Sequence, residues 1–212
     1  MIFFRFQLAL LLGVSLALIS GCTTVLQETA GRVLQDRSAE DQKVDAKIHG
    51  GIVEGITGKD KKLLLDLSAD VWEQRVMITG VLDDPEVRRE VLQLARQDDR
   101  IREMYEHIQI VSTEEKEARR QQREAAESGE GEEKSGAGQA VNDFWIETKI
   151  KAQLLATKNV TSVNYFSRSV RNQVYVIGKA ASAEEKDRVL KIIRETKGVK
   201  GVTEHIQVAA GA

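Results

Sequence analysis

The sequence predicts an α+β protein made of two tandem copies of one helix–strand–strand–helix–strand unit, the helices packed on a small three-stranded sheet. Three observations carry this reading. Val76-Met77-Ile78-Thr79-Gly80 matches Val174-Tyr175-Val176-Ile177-Gly178 at an offset of 98 residues. The same offset pairs Val91-Leu92 with Val189-Leu190, Arg96 with Arg194, and Glu106-His107-Ile108-Gln109 with Glu204-His205-Ile206-Gln207. Within each copy the apolar spacing then switches between helical and strand periods in the same order. So long a period exceeds that of a solenoid repeat, and duplication of a small domain explains it better.

In the first copy, Val44, Ile48, Ile52 and Ile56 recur every four residues, a helical stripe. Leu63, Leu65, Leu67, Ala69 and Val71 alternate as a strand, and Glu73-Gln74 falls at the turn into the next one. Asp84-Pro85 starts a second helix, an N-cap followed by the proline that the first helical position tolerates. Tyr105 to Val111 closes the unit. In the second copy, Ile146, Ile150 and Leu154 form the first stripe, with Asn142 or Asp143 as N-cap. Val163 to Val170 is a strand, and Arg171-Asn172 a tight turn because Asn tolerates left-handed backbone. Val174 to Ile177 is a short apolar strand. Ala183 to Thr196 is a helix capped by Ser182 with Glu185 three residues on. Gly198 ends that helix in left-handed conformation. Val202, Glu204, Ile206 and Val208 alternate in a last strand.

Composition sets the outer limits. Of 212 residues, 30% are charged and 42% hydrophobic, a globular balance, and aromatics at 5% make the core aliphatic. One cysteine rules out a disulfide framework and a zinc site of paired cysteines. That cysteine has a telling position. Leu8 to Ile19 is an uncharged run of 12 residues, too short for the roughly 20 that span a bilayer as a helix. It fits the apolar region of a secretory signal. The run ends Leu18-Ile19-Ser20-Gly21-Cys22-Thr23, which resembles the bacterial lipobox. The resemblance implies cleavage at Gly21–Cys22 and a diacylglycerol and an N-acyl chain (palmitate) on Cys22. An ordinary secretory signal with an incidental cysteine, or an N-terminal anchor, is the alternative. Thr23, rather than Asp, after the cysteine resembles the outer-membrane sorting pattern of enteric bacteria. Residues 22–39 then form a tether reaching at most about 60 Å.

Each copy resembles a BON domain. The resemblance is carried by the apolar strand ending in Gly80 or Gly178, a following helix, and Gly198-Val199-Lys200-Gly201-Val202-Thr203-Glu204-His205-Ile206-Gln207-Val208. Two such domains behind a lipobox are similar to the dual-BON lipoproteins of the Gram-negative outer membrane. This divides the chain into a signal peptide (1–21), the lipidated tether (22–39), a first domain (40–112), a charged flexible linker (113–140) and a second domain (141–212). In the linker, Glu114 to Glu127 extends as a solvent-exposed helix, and Ser128 to Ala140 is rich in Gly, Glu and Ser. The first copy departs from the pattern: Arg100 stands where Gly198 stands, and Glu73-Gln74 replaces an Asn-Gly-like turn.

Charge is unevenly distributed. The whole chain is at −2, but residues 38–112 carry −5, residues 113–140 carry −3, and residues 141–212 carry +5. The second domain is the one suited to an anionic partner. Its first helix combines Phe144, Trp145, Lys149, Lys151, Leu154 and Leu155. With Ile146, Ile150 and Leu154 turned to the sheet, Trp145, Lys149 and Leu155 keep outward directions. Trp suits headgroup depth, and lysines suit lipid phosphate. A Trp at a helix start also packs in cores, so residue types alone leave both readings open. The resemblance implies that this set binds an anionic phospholipid membrane. The expected protein is a lipid-anchored periplasmic protein of the outer membrane, supporting envelope integrity under stress. Envelope proteins are further partners, and nucleic acid is not. A periplasmic protein-interaction scaffold, or an osmotic-stress chaperone without lipid binding, is the alternative.

No catalytic constellation emerges, so an enzyme is not expected, nor any cofactor or metal. His107 and His205 hold equivalent positions in two copies and are expected to lie apart in separate domains. Asp83-Asp84 and Asp98-Asp99 read as helix-end residues. The Gly50-Gly51 and Gly129–Gly138 stretches lack the Lys-Ser/Thr of a phosphate loop.

Overall fold

The computed structural model describes residues 35–127 and 139–210. Cys22, the signal, most of the tether and the Gly/Glu/Ser stretch of the linker lie outside the described residues. Arg37–Ala212 constitute one compact unit.

In the first copy, helix α1 (Ala39–Lys59) starts at Ser38, whose hydroxyl accepts from the Asp41 N–H at 3.0 Å. It buries Ile48, Ile52 and Ile56 against the sheet, as the stripe predicts. Strands β1 (Leu67–Trp72) and β2 (Arg75–Leu82) form a hairpin; helix α2 (Pro85–Ala95) crosses over; strand β3 (Glu103–Ile110) returns parallel to β2. Asp84 caps α2 through the Glu86 N–H at 2.7 Å, with Pro85 in the first turn. Helix α3 (Thr113–Glu127) then leads to the second copy. That copy repeats the order as α4 (Gln139–Ala156), β4 (Tyr165–Val170), β5 (Gln173–Ala180), α5 (Ala183–Glu195) and β6 (Gly201–Val208). Each sheet has its hairpin's second strand in the middle, antiparallel to one neighbour and parallel to the other.

The strand expected from Leu63 begins only at Leu67. Residues Lys61–Leu65 form a 3-10 turn instead, because the Asp60 carboxylate accepts from the Lys62 N–H and the Asp60 carbonyl from the Leu63 N–H. Leu63 points into the core while Leu64 and Leu65 face out. The second copy does the same: Ser162–Asn164 is a 3-10 turn, and β4 starts at Tyr165 rather than Val163.

Both hairpins turn on two left-handed residues, Glu73 and Gln74 at φ 49° and 65°, Arg171 and Asn172 at 54° and 66°. Such a two-residue turn normally selects Asn or Gly. Here an aspartate on the preceding helix holds it. Asp45 accepts from the Glu73 and Gln74 N–H groups, both at 2.7 Å, and Asp143 from those of Arg171 and Asn172, also at 2.7 Å. Asp143 is therefore not an N-cap: α4 begins at Gln139, and Asp143 is buried inside the helix's packed face. At Gly80 and Gly178 the chain crosses too closely for a side chain. A Cβ would stand 2.0 Å from the Asp66 carbonyl oxygen and 2.1 Å from that of Asn164.

The two sheets pack against each other through their faces away from the helices. Trp72, Met77, Val81 and Val111 of the first copy meet Val170, Tyr175 and Ile177 of the second. Strands β2 and β5 are thus covered on both sides, which is why they read as continuous apolar runs. Helix α3 is no free spacer. Arg120 pairs with Asp66 of the first copy (Nε to Oδ1 2.7 Å), Arg119 with Asp143 of the second (2.8 Å), and Lys116 with Asp83. The charges expected to keep this helix in solvent lay it against both copies.

Candidate functional site

Helix α4 divides its residues between core and surface. Ile146, Ile150 and Leu154 are buried, Leu154 to 2% exposure, so of the six residues expected to touch lipid Leu154 belongs to the core. Its outward face carries Phe144, Thr148, Lys151 and Leu155, an i, i+4, i+7, i+11 series that spans roughly 60° of the helix. Phe144 is half-buried, Lys151 is exposed, and Leu155 is 74% exposed, the most exposed large apolar residue described. Lys151 makes no ion pair among the described residues. Trp145 lies on the flank, half-buried, edge-on to Phe144 at 5.5 Å between ring centroids. Its indole N–H is buried and meets no acceptor among the described residues. Lys149 is half-buried and already partnered. Phe144 also lines a depression of about 70 Å³ between α3, α4 and the first hairpin, shared with Leu65, Arg119, Arg120 and Glu147. Burial raises the Glu147 carboxyl pKa, against the pull of Arg168.

The sheet-to-sheet interface brings together residues that were expected to lie apart. His107 and His205 meet, Nε2 to Nε2 at 2.8 Å. Two imidazole nitrogens at that distance share one proton, one ring donating and the other accepting. Tyr105 stacks on His205 at 3.7 Å and Tyr175 on His107 at 4.1 Å, giving a run of four rings through the interface. Burial pushes both histidines down, His205 to about 4 with His107 and Arg75 adding to the effect and Glu204 and Glu103 opposing it; Glu106 opposes it at His107. Asp70 and Arg168, also 98 apart in sequence, form a two-pronged ion pair with both bonds at 2.7 Å. Burial works against the Arg168 charge, but Asp70 and Glu147 outweigh it and raise its pKa. Equivalent residues that touch each other mark a pseudo-twofold axis between the copies. Arg75, fully buried, crosses the same interface to donate to the carbonyls of His205 (2.8 Å) and Gly178 (2.9 Å). His49 stands elsewhere, against the Ala69 carbonyl. Among the described residues no group of three or more His, Cys, Asp or Glu side chains is placed to hold a metal. Asp84 acts as a helix cap and Asp98 pairs with Arg100 at 2.6 Å.

Residues 142–210 match the BON domain family. An uncharacterised protein in the gshII 5′ region of Anaplasma centrale is 28% identical over 142 residues, 67% of this chain and 81% of that protein. A 21 kDa hemolysin of Actinobacillus pleuropneumoniae is 36% identical over 70 residues, and the match spans 33% of this chain and 36% of that protein. Among solved structures, CdsD, a structural protein of the type III secretion system of Chlamydia trachomatis, aligns at TM-score 0.30 and 8% identity, over 76% of this chain and 91% of that one. That likeness carries nothing about function. No described helix is long and apolar enough to cross a membrane. The second copy matches the BON domain family, and the first copy repeats its order of elements and its strand pairing.

Proposed function

We propose that this protein is a lipid-anchored envelope protein that binds anionic phospholipid through helix α4 of its second BON domain and so supports outer-membrane integrity. The observation that carries this is the outward face of α4, where Leu155 at 74% exposure stands one turn from the unpaired Lys151. A large exposed leucine beside a free ammonium suits the boundary between acyl chains and phosphate headgroups. A leucine side chain entering that boundary contributes up to about 2 kcal/mol, and each nearby lysine roughly 1 kcal/mol at an anionic surface. The +5 charge of residues 141–212 adds longer-range attraction.

The test uses the compact body, residues 37–212, rather than the second domain alone. Residues 141–212 in isolation would expose Val170, Tyr175 and Ile177 and adhere to vesicles for that reason. Co-sedimentation with phosphatidylglycerol-containing vesicles should exceed that with pure phosphatidylcholine vesicles, and Leu155→Glu should weaken it at least tenfold. Leu155 is too exposed for that change to disturb the core. Equal binding to both vesicle types, or an undiminished Leu155→Glu variant, contradicts the proposal.

Anchoring rests on Cys22. Acyl chains there and α4 at the bilayer would act together, since the tether holds α4 near the surface and raises its effective concentration. Cys22→Ser should abolish incorporation of labelled palmitate in bacterial cells and release the protein from the membrane fraction. Retained label would overturn the assignment.

A further inference from the structure

We infer that the 3-10 turn Lys61–Leu65 of the first copy is a second lipid-contact element, placing Leu64 and Leu65 at the apolar edge of an anionic bilayer and Lys61 and Lys62 at its phosphates. The inference rests on the proposal that α4 binds anionic phospholipid.

The turn has the required chemistry in a rigid form. Leu64 and Leu65 are 38% and 47% exposed, while Leu63 between the lysines and these two anchors the turn in the core. Lys61 and Lys62 are exposed and make no ion pair among the described residues, whereas their neighbour Lys59 is paired with Glu90. The adjacent Asp60 carboxylate accepts from the Lys62 N–H and is held to the turn's own backbone. Arg120 of α3 pairs with Asp66 just beyond the turn. The leucines are therefore presented on fixed backbone, and little conformational freedom remains to be lost on contact.

Nothing in the fold demands these side chains. At the same offset the second copy has Asn159 and Val160 at the lysine positions, ahead of its shorter 3-10 turn, and Ser162 and Val163 at the leucine positions. The first copy thus spends two solvent-facing leucines and two free cations where the fold accepts small polar and β-branched residues.

The turn is also continuous with the α4 site. Leu65 and Phe144 line one depression. Its carboxylates are engaged: Asp66 by Arg120, Asp143 by Arg119 and the hairpin N–H groups, and Glu147 by the Ser169 N–H at 2.8 Å. No free carboxylate on this depression repels a phosphate, and an anionic bilayer is the partner whose charge and apolar depth match both elements. A first copy that is acidic overall would then present an apolar and basic corner beside the basic second copy.

The test exploits the single cysteine of the chain, Cys22, which the 37–212 body lacks. That body contains all three core clusters, and near-UV circular dichroism verifies its fold in each variant. An environment-sensitive nitrobenzoxadiazole dye is attached at Leu64→Cys, at Leu155→Cys, or at Ser162→Cys in the matching turn of the second copy. With phosphatidylglycerol vesicles, dyes at 64 and 155 should shift to shorter wavelength and brighten, while the dye at 162 stays unchanged. Phosphatidylcholine vesicles should shift none. The pair Leu64→Ser and Leu65→Ser should weaken co-sedimentation about tenfold with an unchanged dichroism spectrum. A dye at 155 that enters lipid while the dye at 64 remains in water overturns this inference and leaves the α4 proposal standing. If neither enters, both are overturned.

Discussion

Asp143 illustrates how one carboxylate can hold a domain together. It takes hydrogen bonds from two backbone N–H groups of the hairpin turn, from the Ser169 hydroxyl at 2.6 Å and from Arg119 of the connecting helix. Removing it leaves a buried hydroxyl, two turn amides and a guanidinium without their acceptor, and the turn's left-handed residues without the contacts that hold them. Asp143→Ala should therefore lower stability by about 3 kcal/mol or more, read from urea denaturation, and Asp143→Asn by less. Asp45 does the same work in the first copy with Arg37 as its cation, so Asp45→Ala should behave alike. The sequence points to an aspartate at this helix position, but as a helix cap, because spacing alone does not show that the chain begins its helix a turn earlier. Leu154 is ambiguous in the sequence for a related reason. It belongs both to the core stripe and to the cation-and-apolar set, and only burial decides between them.

At the scale of elements, most of the architecture was legible. The 98-residue offset and the change of period fixed every helix and strand of both copies to within a few residues. The first leucine run misled because Leu63, Leu65 and Leu67 fit strand alternation, while the local bonds of Asp60 impose a turn on the first two. The stronger signal that was missed lies in β2 and β5. Val76-Met77-Ile78 and Val174-Tyr175-Val176-Ile177 show no alternation, and a strand covered on both faces looks like this. Each copy has helices on one face only, so the second cover had to be something else, and it is the other copy. Helix α3 could not be placed from sequence, since its charges are compatible with solvent or with partners, and the partners sit 24 to 54 residues away.

For the whole molecule, the pseudo-twofold packing turns a duplicated sequence into one body and gives it a sensitivity to acid. The unfolded chain binds a proton at His205 with a pKa near 6.5, the folded chain only near 4, because burial and the neighbouring ring disfavour the charge. The unfolded state therefore holds more protons between these values, so stability is full above about pH 6.5, falls as pH drops, and stops falling from this source below about 4. Allowing for the partial exposure of the rings, the loss is about 1–2 kcal/mol. Urea melts from pH 7 to pH 4.5 should show it, and His205→Gln should flatten the slope. The carboxylates whose pKa is lowered in the fold, Asp83, Asp98, Glu114, Glu184 and Glu204, contribute their losses at still lower pH. An equal slope in the variant would place the acid sensitivity elsewhere.

The same packing leaves α4 facing outward on the basic copy, and the central claim concerns that face. NMR of the isotope-labelled 37–212 body with nanodiscs containing spin-labelled phosphatidylglycerol tests it most directly. The strongest broadening is expected at the amides of Phe144, Thr148, Lys151 and Leu155, and none with phosphatidylcholine nanodiscs. Broadening centred on another face, or equal with both lipids, would contradict it.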